Sequence, residues 1–215
     1  MRDNISTRNM MDEVNLTGRA LYGIMGKSVF TCLKTFDVIA GYPVDYMHAV
    51  NLGVTKQLLA LFTGTENHKQ KYHIGRQTQE IDERIGSIRP PSSFPRNLRS
   101  LNEQKLYKAN ELEAFLLYYI YPCLYGILKE PYLEHIMELS SVIFLLLDPA
   151  LTPTSIDKCE QRLQKFVRQF ETYYGSDNMT YNAHLLTHLA FTARNTGAIY
   201  NSSLYPYESG SSNQV

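Results

Sequence analysis

Gly41-Tyr42-Pro43-Val44-Asp45-Tyr46-Met47-His48-Ala49-Val50-Asn51-Leu52-Gly53-Val54-Thr55-Lys56 is the stretch from which the rest of the chain can be read. Ahead of it, Phe36-Asp37-Val38-Ile39-Ala40 is a short β-branched and apolar run that predicts a strand. Behind it, Met47, Val50, Leu52, Val54, Leu58, Leu59, Leu61 and Phe62 recur at helical spacing, with Gly64 as a stop. Asp45 is thereby placed between a strand end and a helix start. A carboxylate there can point into a cleft. It can equally cap the helix by accepting its free backbone N–H groups, with His48 in the first turn.

Upstream, residues 1–22 carry few apolar positions, Gly23 and Gly26 punctuate a turn, and Val29 to Leu33 is too short a run to divide between strand and helix. Downstream, Thr65 to Lys105 is polar and accumulates prolines; Ile81, Ile85 and Ile88 predict one short helix that Pro90 stops. Three helices follow. Their stripes are Leu112, Phe115, Leu116, Tyr119, Ile120 and Cys123; then Leu133, Ile136, Met137, Ile143, Phe144 and Leu147; then Ile156, Cys159, Leu163, Phe166, Val167, Phe170 and Tyr174. Thr152-Pro153 starts the last with a cap and a first-turn proline, and Gly175 ends it. Short turns between them predict a small antiparallel bundle over Tyr107 to Tyr174, with Tyr118, Tyr119, Tyr121 and Tyr125 as packing and interface residues.

A further helix, capped by Asn178 or Thr180 and running to about Arg194, carries His184 and His188 opposite its Leu186, Leu189, Ala190 and Ala193 face. Three readings stay open for this pair. The histidines hydrogen-bond within the fold, they face phosphate or a carboxylate cluster, or they ligate a metal at i, i+4 spacing, although no zincin Glu and no third ligand accompany them.

The chain has 215 residues, is 44% hydrophobic and is 20% charged, the balance of a folding sequence. Lys+Arg and Asp+Glu are both 21, so any nucleic-acid surface has to be local. Arg84, Arg89, Arg96 and Arg99 form such a patch, with no acid between them; they are the candidate contacts to a DNA backbone, against the alternative of a solvated loop tethering the bundle. Cys32, Cys123 and Cys159 lack C-x-x-C spacing, which argues against a disulfide framework or a cysteine zinc site. Met1 to Asn15 has no apolar core of a secretory signal, and Glu113 and Pro122 interrupt the greasy run Leu112 to Leu128, so neither secretion nor a membrane is expected.

Asp45-Tyr46-Met47-His48 followed by Leu52-Gly53-Val54 resembles the second-acid motif of CACTA (En/Spm-like) transposases, members of the DDE superfamily with an RNase H-like catalytic domain. Other segments resemble that family in the same order. They are Gly23-Ile24-Met25-Gly26-Lys27-Ser28, then Arg89-Pro90-Pro91 with Phe94-Pro95-Arg96 and Arg99, then Tyr174-Gly175 with Met179 to Leu189, and Tyr207-Glu208-Ser209. Gly210-Ser211-Ser212 departs from the Asn-Gly pair of the last motif.

The resemblance implies a mainly α chain: a partial RNase H-like α/β domain interrupted by an α-helical insertion. Its segments are a partial RNase H-like piece at 1–64, a basic linker at 65–105, the insertion at 106–175, and the His-bearing helix with the third acid at 176–215. It implies Asp45 and Glu208 as catalytic, metal-binding acids, with His48, His184 and His188 as site-lining candidates. Mg2+ or Mn2+ is the implied cofactor, transposon-end DNA and a second copy the implied partners, and the nucleus (or the cytoplasm, if domesticated) the implied compartment. The first acid finds no counterpart: Asp37 is too close to Asp45, and Asp3 and Asp12 sit in polar segments. An incomplete or inactive fragment is therefore expected. The alternatives are a non-catalytic DNA-binding or protein-interaction module and a His-metal hydrolase.

Overall fold

The computed structural model describes residues 3–89 and 98–211, so Pro90, Pro91, Phe94, Pro95 and Arg96 lie outside the described residues. The chain is mainly α. Among the described residues there is no strand, and the β pairing is an isolated bridge between Leu21 and Ile24. The chain divides into two compact units, Met1–Pro43 and Val44–Val215.

In the first unit, α1 (Asn4–Thr17) is opened by Asp3, whose carboxylate accepts the Ser6 N–H, and closed by Gly18 in the left-handed region at φ 66°. Arg8 on α1 organises the following loop by donating to the carbonyls of Thr31, Leu33 and Phe36 at 2.8, 3.0 and 2.6 Å. Phe30, Phe36 and Tyr42 pack as a trio with ring centroids 5.2–5.8 Å apart. Val29–Cys32 is a 3-10 helix capped by Ser28. The strand expected at Phe36 to Ala40 does not form. Asp37 accepts the N–H groups of Ile39 and Ala40 at 2.7 and 2.9 Å, and its carbonyl accepts that of Gly41. A side chain that bonds its own backbone two and three residues on holds a turn, and here it outweighs the β-branched composition.

The second unit is built around a buried helix that runs from Met47 to Thr55 as a π-helix and continues as α2 (Lys56–Thr63), which Gly64 ends. Seven of the nine π-helical residues are buried, because the segment is covered by α4 (Ala109–Ala114) and by α8 (Tyr181–Leu185). Gly53 permits one of these approaches, since a Cβ there would lie 2.7–2.8 Å from Asn182 of α8. The expected short helix is α3 (Thr78–Ser87). The first bundle helix runs from α4 through a π-helical turn, Phe115–Tyr119, into α5 (Ile120–Leu124). Its loosened backbone is met by Ser140 Oγ, which donates to the Leu116 carbonyl at 2.7 Å and so explains a buried serine.

The bundle is completed by α6 (Glu130–Leu146) and α7 (Pro153–Tyr174), which pack on one another. Helix α7 begins with Thr152 and Ser155 in a reciprocal cap and buries Ile156, Cys159, Leu163, Phe166, Phe170 and Tyr174. Each large apolar side chain of that stripe contributes roughly 1.5–3 kcal/mol by leaving water. Cys32, Cys123 and Cys159 are free thiols. No helix among the described residues is long and apolar enough to cross a membrane.

The sequence stripes omit the buried histidine of α6. His135 is 3% exposed and stacks on Phe166 at 4.0 Å between centroids and 4° between planes. Its Nε2–H donates to the Phe166 carbonyl at 3.0 Å, and its Nδ1 accepts from the Tyr174 hydroxyl at 3.2 Å, an arrangement that satisfies the neutral ring. Burial outweighs the Phe166 carbonyl and pulls the group from 6.5 to about 4. Between these values the unfolded chain binds more protons than the native one, so this contribution is intact above pH 6.5 and is lost as pH falls. The expected cost is about 3 kcal/mol by pH 4. Urea unfolding at pH 7, 5.5 and 4 should show His135→Gln losing that much less stability across the range than the parent chain does.

Candidate functional site

Asp45 stands where the buried helix begins. Its Oδ1 accepts the Met47 N–H at 3.2 Å and its Oδ2 the His48 N–H at 3.1 Å, so it caps the π-helix as a carboxylate at a helix N-terminus does. The same Oδ1 accepts the Leu204 N–H at 3.0 Å and so ties down the approach to the C-terminal helix α10 (Tyr205–Ser211). The N–H of Val44, one residue earlier, donates to Thr192 Oγ1 at 3.1 Å, and the Val44 carbonyl accepts from Ser202 Oγ at 3.4 Å.

His48 joins the two acids singled out in the sequence. Its Nδ1 bonds Asp45 Oδ2, and its Nε2 faces Glu208 Oε1 at 3.2 Å. The Asp45 side chain is 15% exposed, while those of His48 and Glu208 are about half exposed. The folded chain thus places carboxylate, imidazole and carboxylate in a row, from residues at both ends of the second unit. Carboxylates only accept, so the ring meets both best when each of its nitrogens carries a proton.

Asp45 and Glu208 offer the oxygen donors that a hard divalent ion takes. Their arrangement does not suit one: the imidazole occupies the space between them, and both oxygens of Asp45 already accept two N–H groups each. Among the described residues, no three His, Cys, Asp or Glu side chains are gathered as a metal site would gather them. An ion bridging these carboxylates would first have to displace His48.

His184 and His188 meet each other. Helix α8 passes through a 3-10 turn, Leu186–His188, into α9 (Leu189–Thr196), and the two Nε2 atoms come within 3.2 Å. Burial, and then the neighbouring His184, lower the His188 pKa, which favours one ring donating N–H to a neutral partner. Two nitrogens ligating one Zn2+ at tetrahedral angles stand about 3.3 Å apart, so the pair is also spaced as a chelate. Its place in the fold is fixed by Thr192, one turn on from His188 and bonded to Val44, and by Thr180, whose hydroxyl both caps α8 and donates to Gln57 of α2.

The arginines separate into different duties. Arg84 donates to the carbonyls of Cys123 and Tyr125 at 3.2 and 2.7 Å, closing the C-terminal end of α5, and pairs with Glu80. Arg99 pairs with buried Glu111 at 2.9 Å. Arg89 is exposed, and Arg96 lies outside the described residues. Sequence reading missed Glu111, Tyr46, Asn51 and Tyr205. Asn51 Nδ2 donates to Tyr205 Oη at 3.1 Å, and Tyr205 stands near Asp45. The signal was present for Asn51, a lone polar residue in the apolar run of 49–54.

Comparison of the chain with family models, with curated proteins and with solved structures finds no match in any of the three.

Two stability tests follow from this geometry. Asp45→Ala removes the cap and the tie to Leu204, and a loss of about 2 kcal/mol is expected in urea unfolding, with Asp45→Asn, which keeps one acceptor, losing less. Arg99→Ala leaves a buried carboxylate unpaired and should cost about 3 kcal/mol, whereas Arg89→Ala should change stability by no more than about 0.5 kcal/mol. Equal losses in the two arginine variants would show that Arg99 is not the structural member of the pair.

Proposed function

We propose that this is a transposase-derived DNA-binding protein, carrying a partial RNase H-like region interrupted by the helical bundle, whose parent activity is cut-and-paste transposition by metal-dependent phosphoryl transfer. The reading rests on the ordered motifs resembling CACTA-type transposases. The observation that supports it most is the meeting of Asp45 and Glu208 on His48. The two acids come from separate motifs, with the bundle between them in the chain, and the resemblance likewise sets a helical insertion between the second and third acids. Transposon-end DNA, a second copy of the chain, Mg2+ or Mn2+ and a nuclear compartment belong to the same proposal.

In the conformation described, His48 closes the pair of acids, an arrangement that disfavours strand cleavage. The four N–H groups on Asp45 also favour the second reading, a non-catalytic DNA-binding or interaction module in which Asp45 is a structural residue.

Mn2+ titration followed by electron paramagnetic resonance separates the readings. The transposase-derived reading expects weak binding in the parent chain, at least about fivefold tighter binding in His48→Ala as the carboxylates are released, and loss of that gain in Asp45→Asn/His48→Ala. No gain on removing His48 would leave the structural reading. DNA binding should be sequence-independent and salt-sensitive, with a slope of log affinity against log salt of about −1 to −2 for one or two phosphate contacts at Arg89 and Arg96. Unchanged affinity and slope in Arg89→Ala/Arg96→Ala would remove this segment as the DNA contact.

A further inference from the structure

Behind the acid site, a cavity of about 640 Å3 opens between the start of the first bundle helix, the end of α6 and the segment leading into α10. Its walls are aromatic, with Tyr46 and Tyr205 on the side of Asp45, Tyr118 from the bundle, and Phe144 and Tyr200 at the rim. Phe144 and Tyr200 are 58% and 60% exposed, a large apolar outlay on a surface. Leu117 and Leu147 add aliphatic surface.

The charged groups of this cavity share one sign. Glu113 and Asp148 both line it, and among the described residues neither has a Lys or Arg within salt-bridge reach. Asp148 is exposed and holds only the Ala150 N–H at 2.8 Å. Glu113 is half-buried and stands near the hydroxyls of Tyr46 and Tyr205. Tyr46 is 1% exposed, and its hydroxyl is buried beside Glu113 and Asn51 without a hydrogen bond of normal geometry, although a polar group in that setting ordinarily makes one.

We propose that this cavity binds a guanidinium on an apolar stem, as presented by an arginine side chain of a partner polypeptide. Aromatic faces attract a cation, and Arg stacks on them while keeping its fork of donors free. Glu113 accepts that fork, and the three-carbon stem lies along Leu117 and Leu147. The carboxylates disfavour phosphate, so this surface is distinct in its chemistry from a DNA contact. The proposal does not rest on the transposase reading.

The test titrates the full chain, by isothermal calorimetry and by chemical-shift mapping, with Ac-Gly-Arg-Gly-amide and with the same peptide bearing citrulline, which keeps the shape and loses the charge. Saturable binding of the arginine peptide is expected, with citrulline at least about tenfold weaker. Glu113→Gln should weaken arginine binding about tenfold and Phe144→Ala about threefold. Phe144 is exposed and Glu113→Gln is isosteric, so both variants should keep the parent far-UV circular dichroism. Agmatine binding as well as the peptide supports the guanidinium site and names a free cation as its source; a preference for the peptide names a polypeptide. Equal binding of the citrulline peptide, no saturation by about 10 mM, or unaltered affinity in both variants would overturn the proposal.

Discussion

The carboxylate of Asp45 is the constraint on which the second unit depends. A helix leaves its first N–H groups without intrahelical partners, and Asp45 accepts two of those of Met47–Thr55. With its remaining capacity it accepts the Leu204 N–H and the His48 ring. One side chain therefore fixes the start of the central helix, the direction of the C-terminal segment and the orientation of an exposed imidazole. A group so fully engaged is pre-oriented but not free. That tension between structural duty and chemical availability is the main physical question the site raises.

Helices were the legible part of the fold. The α7 stripe, its Thr152 cap and its Gly175 stop follow from periodicity and capping chemistry alone, and so do the ends of α2 at Gly64 and of α3 before Pro90. The region ahead of Pro43 was read less well, because a β-branched run says nothing of the Asp37 side chain that turns it. The π-helical stretches were not legible either. Periodicity over nine residues does not distinguish i→i+4 from i→i+5 bonding when most positions are buried.

The site was legible in part, and for an identifiable reason. Asp45, His48 and Glu208 stood out because charged residues in motif-like surroundings are visible in one dimension. Glu111, Tyr46 and His135 did not, because what distinguishes them is burial: a carboxylate 4% exposed against Arg99, a hydroxyl without a hydrogen bond of normal geometry, an imidazole stacked on Phe166. The arginine patch illustrates the same limit from the other side. A run of like charges reads as one surface, yet Arg84 serves two backbone carbonyls and Arg99 a buried acid, while Arg89 is exposed. Sequence proximity groups charges; only the fold separates their roles.

The π-helical form of Met47–Thr55 carries a consequence for how this region can change by insertion or deletion. A wide turn holds one residue more than an α-turn of the same reach, so removing a single residue would convert it to ordinary helix without shortening the element by much. Each residue of an α-helix also advances the side chains by about 100°. A deletion taken up by the wide turn would therefore keep Asp45 and His48 in phase with α2, whereas the same deletion in the regular helix of α2 would rotate them away from Leu204 and Glu208. The segment thus acts as a buffer of phase between core and site. A lineage could lose a residue within it and keep the meeting of the acids, while a loss one turn further on would break that meeting with no substitution at any residue of the site itself.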